Sequence, residues 1–320
     1  MLSGVGSKAV GFTASEENLM RVLITGGSGF VGQRLCQRLA ESGHQLLVVS
    51  RNPEAVRERL PESADIRRAV LDFIDTPPDA IVNLAGESIA AKRWSDDQKA
   101  RLIESRVNIT RDLVALCEQL KRRGERVPGV MVSASAMGYY GDQGSREVTE
   151  ETSPHDEFAH RLCKRWEEAA REASGYGTRV AILRIGLVLD AGGGSLQKML
   201  PPFKLGLGGR FGSGEQFMPW IHREDLVQAI LFLLDNGELD GVFNGSAPHP
   251  VTNAEFSRTL ARQLKRPAIF PVPAFVLETI FGEMSRLLLT GADMRPRRLQ
   301  DAGFKFQFET LDAALADILG

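Results

Sequence analysis

Met20–Leu35 reads MRVLITGGSGFVGQRL, and three successive textures within it decide the fold. Val22, Leu23 and Ile24 form an unbroken apolar run, the mark of a parallel strand covered on both faces. A glycine cluster follows. Val31, Leu35 and Leu39 then recur at four-residue spacing, which predicts a helix over Val31–Ser42 that Gly43 ends. Gly26, Gly29 and Gly32 have the spacing Gly-x-x-Gly-x-x-Gly. In this setting Gly26 permits the tight turn, and Gly29 lets backbone approach a pyrophosphate. Gly32 lets the helix pack closely on the strand, and the helix N-terminal amides meet the negative charge. Phe30 and Val31, which open the helix, join the glycines as cofactor-contacting candidates. A glycine triplet alone marks ordinary turns; between a buried strand and a helix it predicts dinucleotide binding.

Further strand patterns run over Gln45–Ser50, Asp79–Gly86, Gly129–Ala136 and Thr178–Leu189, with helical patterns at Gln98–Leu120 and His160–Ala173. Strands alternating with helices predict an α/β fold: a doubly wound parallel sheet of the Rossmann type. Beyond Leu189 the segment Asp190–Trp220 is rich in Gly and Pro and reads as a long irregular connection. A helix is expected at Asp225–Leu234, a strand and turn at Gly241–Pro248, and a closing helix at Leu311–Leu319. Residues 20–189 are therefore assigned mainly to the dinucleotide-binding domain. Residues 190–320 are assigned mainly to a smaller C-terminal substrate lobe, with some segments returning to the sheet. Residues 1–19 mix small and polar residues without a period and read as a flexible extension or an added segment.

Composition narrows the class. Hydrophobic residues at 43% and charged residues at 25% match a soluble globular protein. A formal charge of −2 gives no electrostatic case for nucleic acid or an acidic membrane as partner. No apolar stretch reaches the roughly 20 residues a bilayer-spanning helix needs. Cys36, Cys117 and Cys163 lack metal-ligand or redox spacing, which predicts reduced thiols, a cytoplasmic protein and no metal site. Monomer and homodimer both remain open. No Gly-x-Ser-x-Gly elbow, Gly-Lys-Ser/Thr phosphate loop or His-Glu-x-x-His helix occurs.

The end of the second strand selects the cofactor. An NAD-binding chain usually places Asp or Glu there to bond the adenosine ribose. Here Ser50 and Arg51 stand instead. Arg51 can pair with a 2′-phosphate and Ser50 can add a hydrogen bond, so the expected cofactor is NADP.

TGGSGFVG (Thr25–Gly32), NLAGES (Asn83–Ser88) and SASAMGYYGD (Ser133–Asp142) follow in the order of extended short-chain dehydrogenase/reductase motifs. With RIGLVL, LGLGGRFGSGEQFMPWIHREDLV and FNGSAPHPVTNAEF, the chain from Met20 to about Gly320 resembles the atypical extended, sugar-nucleotide epimerase-like family. The resemblance implies an NADP-binding Rossmann domain and a small substrate lobe. It implies that Leu84, Ala85 and Gly86 pass the cofactor's adenosine half, that Arg106 lies near the cofactor, and that Ser135 bonds the substrate oxygen. Trp94 fits the family pattern and equally fits simple packing. Substrate proximity is implied for the loop carrying Arg210, Phe217, Met218, Trp220 and His222, whose plainer reading is a lobe connection with Trp220 as core.

One element of that superfamily is missing. Its chemistry normally uses Tyr-x-x-x-Lys on a helix, the tyrosine exchanging the proton and the lysine one turn away lowering its pKa. The three tyrosines here are Tyr139, Tyr140 and Tyr176, and Gln143, Gly144 and Val180 stand four residues beyond them. His160 and Lys164 have the spacing on the corresponding helix and are candidates for acid–base work and a ribose contact; a solvated helix face is the plainer reading. Tyr139 and Tyr140, which follow Ser135 at a strand's carboxyl end, are the other proton-transfer candidates. The expected function is an NADP-dependent epimerase or reductase that transfers hydride at a carbinol or carbonyl carbon of a small polar substrate, a nucleotide sugar being one class. A non-catalytic NADP-binding sensor or scaffold is the alternative that the missing tyrosine leaves open.

Overall fold

The alternation of apolar runs and helical faces becomes a layered sheet because a parallel strand must be covered on both sides. The structure, a computed structural model, describes residues 19–320; the expected extension over residues 1–18 lies outside them. In chain order the elements begin with β1 (Arg21–Thr25), α1 (Phe30–Glu41), β2 (Gln45–Val49), α2 (Pro53–Val56), β3 (Asp65–Arg67) and β4 (Ala80–Asn83). Then come α3 (Asp96–Arg122), β5 (Val130–Ala136), β6 (Glu147–Val148), α4 (Phe158–Arg171), β7 (Arg179–Ile185) and β8 (Leu187–Leu189). The remainder comprises α5 (Gly194–Lys204), β9 (Phe217–Met218), β10 (Trp220–His222), α6 (Arg223–Asp235), β11 (Gly241–Gly245) and β12 (Val251–Thr252). Last are α7 (Asn253–Gln263), α8 (Ala274–Phe281), α9 (Arg286–Leu289), β13 (Asp293–Met294), α10 (Arg297–Asp301) and α11 (Leu311–Leu319).

Seven strands form one parallel sheet in the order β11-β7-β5-β4-β1-β2-β3. The chain winds outward from β1 on one side and from β4 on the other, so the topological switch lies between these two strands. Ligands of open α/β sheets bind in the crevice at that switch, beyond the strands' carboxyl ends.

Side-chain alternation assigns the two faces. Val22, Ile24, Val82, Val132 and Leu183 pack with Leu35 and Leu39 of α1 and with Leu226, Ile230 and Leu233 of α6. Leu23, Ile81, Met131 and Ile182 pack on the other face with Leu113, Leu116 and Leu120 of α3 and Ala170 of α4. On this second face the apolar rows give way to polar residues towards the carboxyl ends. Thr25, Asn83 and Ser133 are cross-strand partners, and Ser135, Arg184 and Asn244 form the next row. All six are buried. The polar rim of the site is thus a continuation of the core pattern, two or four residues further along each strand on the same face.

Two expectations need correction. The Thr178–Leu189 pattern is two strands, because the chain turns away at Gly186, whose N–H donates to Gly245 O at 3.0 Å. A Cβ at residue 186 would meet the backbone of Pro219, so the turn requires the missing side chain. β8 then pairs in parallel with β10 outside the main sheet. The irregular Asp190–Trp220 segment also contains a helix, α5, although Pro201 and Pro202 lie within it. Those prolines mask the helical pattern. The helix persists because Leu196, Leu200 and Phe203 fall on one face and bury with Trp220, Phe256, Leu260 and Leu315 in the core of the lobe.

The glycine turn is a point of close packing between α1 and β1. A Cβ on Gly32 would lie 2.7 Å from Gly27 Cα and closer still to the Gly26 carbonyl, leaving α1 no room on β1. Gly32→Ala is expected to lower unfolding free energy by about 1–3 kcal/mol, the usual cost of overpacking, as measured by urea denaturation. An unchanged midpoint would contradict the close approach.

Candidate functional site

Gly26 has φ +72, and a Cβ there would stand 2.7 Å from the backbone of Leu84, so the turn after β1 and the loop after β4 touch. Leu84 N–H donates to Thr25 O (3.1 Å) and Ala85 N–H to Thr25 Oγ1 (3.3 Å). Thr25 Oγ1 in turn donates to Asn83 Oδ1 (2.7 Å), while Asn83 Nδ2 reaches Thr110 Oγ1 (2.8 Å) and Ser133 Oγ (3.1 Å). This buried chain fixes Leu84–Gly86 beside the glycine turn at the sheet's switch point. Arg106 holds the loop from α3. Its Nη2 donates to Glu87 O (2.9 Å) and its Nη1 to Leu102 O (2.9 Å), and a Cβ at Gly86 would press on the guanidinium at 2.9 Å. Burial pushes the Arg106 pKa down, and its Nε has no partner among the described residues. Trp94 packs edge-on against Phe158 and donates Nε1 to Ile89 O (3.0 Å), matching the plainer reading.

The residues present suit a dinucleotide. Gly29 is the N-cap of α1 and offers no side chain to the first helical amides, which leaves those donors for an anion. Phe30 lies against Gly193 and beneath the Arg223 guanidinium, 5.1 Å from the ring centre, so the helix start is tied to the 190–194 loop. Val31 is half-buried behind it. At the end of β2, Ser50 Oγ accepts from Asn52 N–H (3.3 Å), and Arg51 is exposed.

Ser135 lies in a charged network that the sequence reading missed. Arg184, its register partner on β7, donates Nε and Nη2 to Glu167 Oε1 and Oε2 of α4 (2.9 and 3.0 Å). Arg171 adds a third bond to Oε2 (2.9 Å), and Ser135 Oγ donates to Oε1 (2.7 Å). Burial would lower the Arg184 pKa, but the hydrogen bonds and charge of Glu167 outweigh it and hold the guanidinium above its ordinary value. Arg184 Nη1 also donates to Tyr140 Oη (3.1 Å), and Tyr140 Oη donates to Asn244 Oδ1 (2.6 Å). Glu150 Oε1 receives the Asn244 N–H at 3.0 Å and the Arg298 N–H at 3.3 Å. The available signal was Arg184, late in the apolar strand RVAILRI, where a buried guanidinium requires a counter-charge.

This network revises several candidates. Tyr140 is 0% exposed, both its hydrogen-bonding roles are taken, and burial pushes its phenol up to about 12. It is a structural strut, not a free proton donor. Ser135 spends its only proton on Glu167, so it can accept from a substrate hydroxyl but does not stand ready to donate to a carbonyl. Lys164 points to solvent, because the buried face of α4 carries Ala159, Cys163, Trp166, Glu167 and Ala170. Ala159 and Cys163, one position before His160 and Lys164, are one buried pair with four-residue spacing; His160 is also buried, whereas Lys164 is exposed. Cys163 Sγ lies 3.8 Å from Ala136 O, and burial, followed by the Glu167 charge, pushes its thiol up to about 11. His160 Nδ1 donates to Tyr139 O (2.8 Å), and its ring packs edge-on against Tyr139 at 4.9 Å. Tyr139 is half-buried, with the Arg184 guanidinium 3.3 Å from its ring centre. Among the described residues its hydroxyl has no hydrogen bond.

The lobe candidates separate. Trp220 is fully buried core and donates Nε1 to His249 O (3.1 Å), a correction to its substrate role. Phe217 is half-buried in β9, paired with Thr252. Arg210 is exposed and donates to Ser213 O (2.8 Å). His222 caps α6, its Nδ1 accepting from Glu224 N–H (3.1 Å), with its ring on Phe308 (4.0 Å) and Nε2 3.3 Å from Asp317. It lines a depression with Arg34, Arg38, Asp190 and Arg223, apart from Ser135 and Tyr139. All three cysteines are free and buried; among the described residues no metal-holding cluster occurs and no helix is long and apolar enough to cross a membrane.

With this geometry in hand, residues 22–244 match the NAD dependent epimerase/dehydratase family. The chain belongs to that family. Residues 272–318 match a domain of unknown function. The mouse epimerase family protein SDR39U1 is 36% identical over 304 residues, covering 94% of this chain and 100% of that protein. An epimerase family protein of Mycobacterium tuberculosis is 39% identical over 298 residues, covering 92% of this chain and 96% of that protein. The crystal structure of human SDR39U1 with NADPH superimposes with a TM-score of 0.83 at 36% identity, over 93% of this chain and 99% of that chain. The seven-stranded parallel sheet therefore belongs to a fold shared with human SDR39U1.

His222 generates a pH dependence. Burial lowers its pKa below 6.5, against the pull of Asp317 and Asp225. Above 6.5 folded and unfolded states are both neutral there and the cap is intact. As pH falls through 6.5 the unfolded chain takes the proton first, so stability decreases on the acid side. His222→Asn, which retains a capping acceptor, should flatten part of the decline in urea-unfolding free energy between about pH 6.5 and 5. Parallel curves for both proteins would remove His222 from the account.

Proposed function

We propose that this chain binds NADP(H) through the Gly26–Gly32 turn and acts as an epimerase- or reductase-type enzyme on a small polar substrate. The observation that carries the cofactor assignment is Arg51, exposed at the end of β2 where an NAD-binding chain would place a carboxylate. The NADPH in the human relative supports the same reading. When bound, the nicotinamide supplies or accepts hydride. Leu84–Gly86, held by Thr25, Asn83 and Arg106, form the opposite wall of the cofactor crevice.

Within the site, Tyr139 is our candidate for the proton-carrying group. Its hydroxyl alone among the candidate phenols is unengaged, and Arg184 and His160 fix its ring. Ser135 accepts a hydrogen bond from a substrate hydroxyl while donating to Glu167, which orients the carbinol end of a polar substrate such as a nucleotide sugar. Phe217 and Arg210 are proposed to contribute to the lobe side of that pocket. A second reading, a non-catalytic NADP-binding sensor, is favoured by the missing Tyr-x-x-x-Lys motif and by the exposure of Lys164 on α4.

Arg51→Ala should weaken NADPH binding by about ten- to a hundredfold, the scale of one lost charge-assisted hydrogen bond, and leave NADH binding nearly unchanged. Calorimetry with equal losses for both cofactors would overturn the 2′-phosphate role. Stopped-flow NADPH absorbance across carbonyl and nucleotide-sugar panels separates the two readings. Substrate-dependent turnover that Tyr139→Phe abolishes supports the enzyme; tight NADPH binding with a silent panel supports the sensor.

A further inference from the structure

Two loops of the C-terminal lobe carry an arrangement that the cofactor site does not use. Residues 204–209 leave the end of α5, residues 265–271 leave the end of α7, and the two run side by side. Phe270 N–H donates to Gly208 O (3.3 Å), Val272 N–H to Arg210 O (2.9 Å), and Arg266 Nε to Lys204 O (3.0 Å). Gly206 sits against Pro267, where a Cβ would touch the ring at 3.5 Å. The resulting tip presents Leu205 at 74% exposure, Leu207 at 55%, Ile269 at 69% and Phe270 at 50%. These are four of the eight large apolar side chains exposed among the described residues. Singly exposed apolar residues need no explanation, but four on two zipped loops form a patch. They do not serve the lobe's own core, which Phe203, Leu260, Leu264 and Ala268 already fill from beneath.

The charge at the tip has one sign. Lys204, Lys265 and Arg266 are exposed on the same two loops, and Lys198 is exposed on α5. No Asp or Glu occurs anywhere in residues 191–214 or 256–277. Arg262, next along α7, is matched by Asp312 at 2.5 Å, whereas Lys204, Lys265 and Arg266 have no acidic partner among the described residues. The net charge of −2 averages this local asymmetry away.

We propose that this tip is a docking surface for an anionic phospholipid bilayer. Leu205, Leu207, Ile269 and Phe270 enter the boundary between headgroups and acyl chains, and Lys204, Lys265 and Arg266 meet the phosphates. A bilayer offers an apolar layer beneath a continuous negative one, and the tip matches both at once. Long basic side chains suit this geometry because their stems lie along apolar surface while their heads stay at the interface. The expectation of no membrane partner, drawn from whole-chain charge, is revised at this one edge; the chain would lie on the surface and not span it.

Sedimentation of the full chain with vesicles tests the proposal. Binding is expected to vesicles of phosphatidylcholine mixed with phosphatidylglycerol, to be weak with phosphatidylcholine alone, and to fall as salt screens the basic residues. Leu205→Asp with Phe270→Asp, and separately Lys204→Glu with Lys265→Glu, should each reduce binding at least about tenfold. Both variants change exposed positions, so NADPH binding should be retained and serves as the control for folding. No binding to anionic vesicles overturns the proposal, as does binding that both tip variants retain. A wild-type dimer on size exclusion that the apolar variant dissociates, without vesicle binding, assigns the patch to self-association and also overturns it.

Discussion

The site depends on one buried ion pair, Glu167 with Arg184. A carboxylate and a guanidinium withdrawn from water are costly unless every donor and acceptor is matched. Here the match is nearly complete: Arg184 meets Glu167 through two parallel hydrogen bonds, and Arg171 and Ser135 supply two more to the carboxylate. The pair ties α4 to β7, its serine arm reaches β5, and its tyrosine arm reaches Asn244 on β11. Through Asn244 Nδ2 it extends to Arg295 O, and through Glu150 to Arg298, inside the segment that matches a domain of unknown function. One charge pair therefore registers helix, sheet edge and C-terminal segment against each other.

The same pair explains how the residues of the superfamily motifs are held in this chain. In the superfamily pattern a serine bonds substrate oxygen and a tyrosine–lysine couple moves the proton. In this chain the serine's proton is held by Glu167, and the α4 face presents Ala159 and Cys163. Tyr140 is drawn into the network by Arg184 and Asn244, whereas Tyr139 stays at the edge with its ring under the guanidinium. The glycine turn and the Leu84–Gly86 loop, by contrast, keep the geometry that a pyrophosphate requires. The glycine turn and the Glu167–Arg184 network are separate parts of the fold.

The sequence made the first part legible and the second only faintly. Strands β1, β2, β4 and β5 could be read because each is an apolar run bounded by glycine or polar residues. Gly26, Gly29 and Gly32 could be read because backbone approach leaves a fixed spacing. The four-residue spacing of His160 and Lys164 says which residues are neighbours along the helix but not which of them is buried; the structure buries His160 and exposes Lys164. That depends on where α4 lands on the sheet, where Glu167 meets Arg184 and Ser135. Trp220 and α5 were obscured for a related reason: tertiary burial in the lobe core overrides the local signals of proline and glycine. The polar rows Thr25–Asn83–Ser133 and Ser135–Arg184–Asn244 exist only once the strands are in register, so no single segment displays them.

A double-mutant cycle on Glu167 and Arg184 tests the central claim most directly. Glu167→Gln and Arg184→Met, alone and together, are compared by urea denaturation, with NADPH binding measured on each. Either single change should cost about 3–5 kcal/mol, because it leaves the other charge buried and unpaired. The double variant should cost far less than the sum, a coupling of at least about 2 kcal/mol. Costs that simply add would show that the two side chains act independently, and would contradict the account.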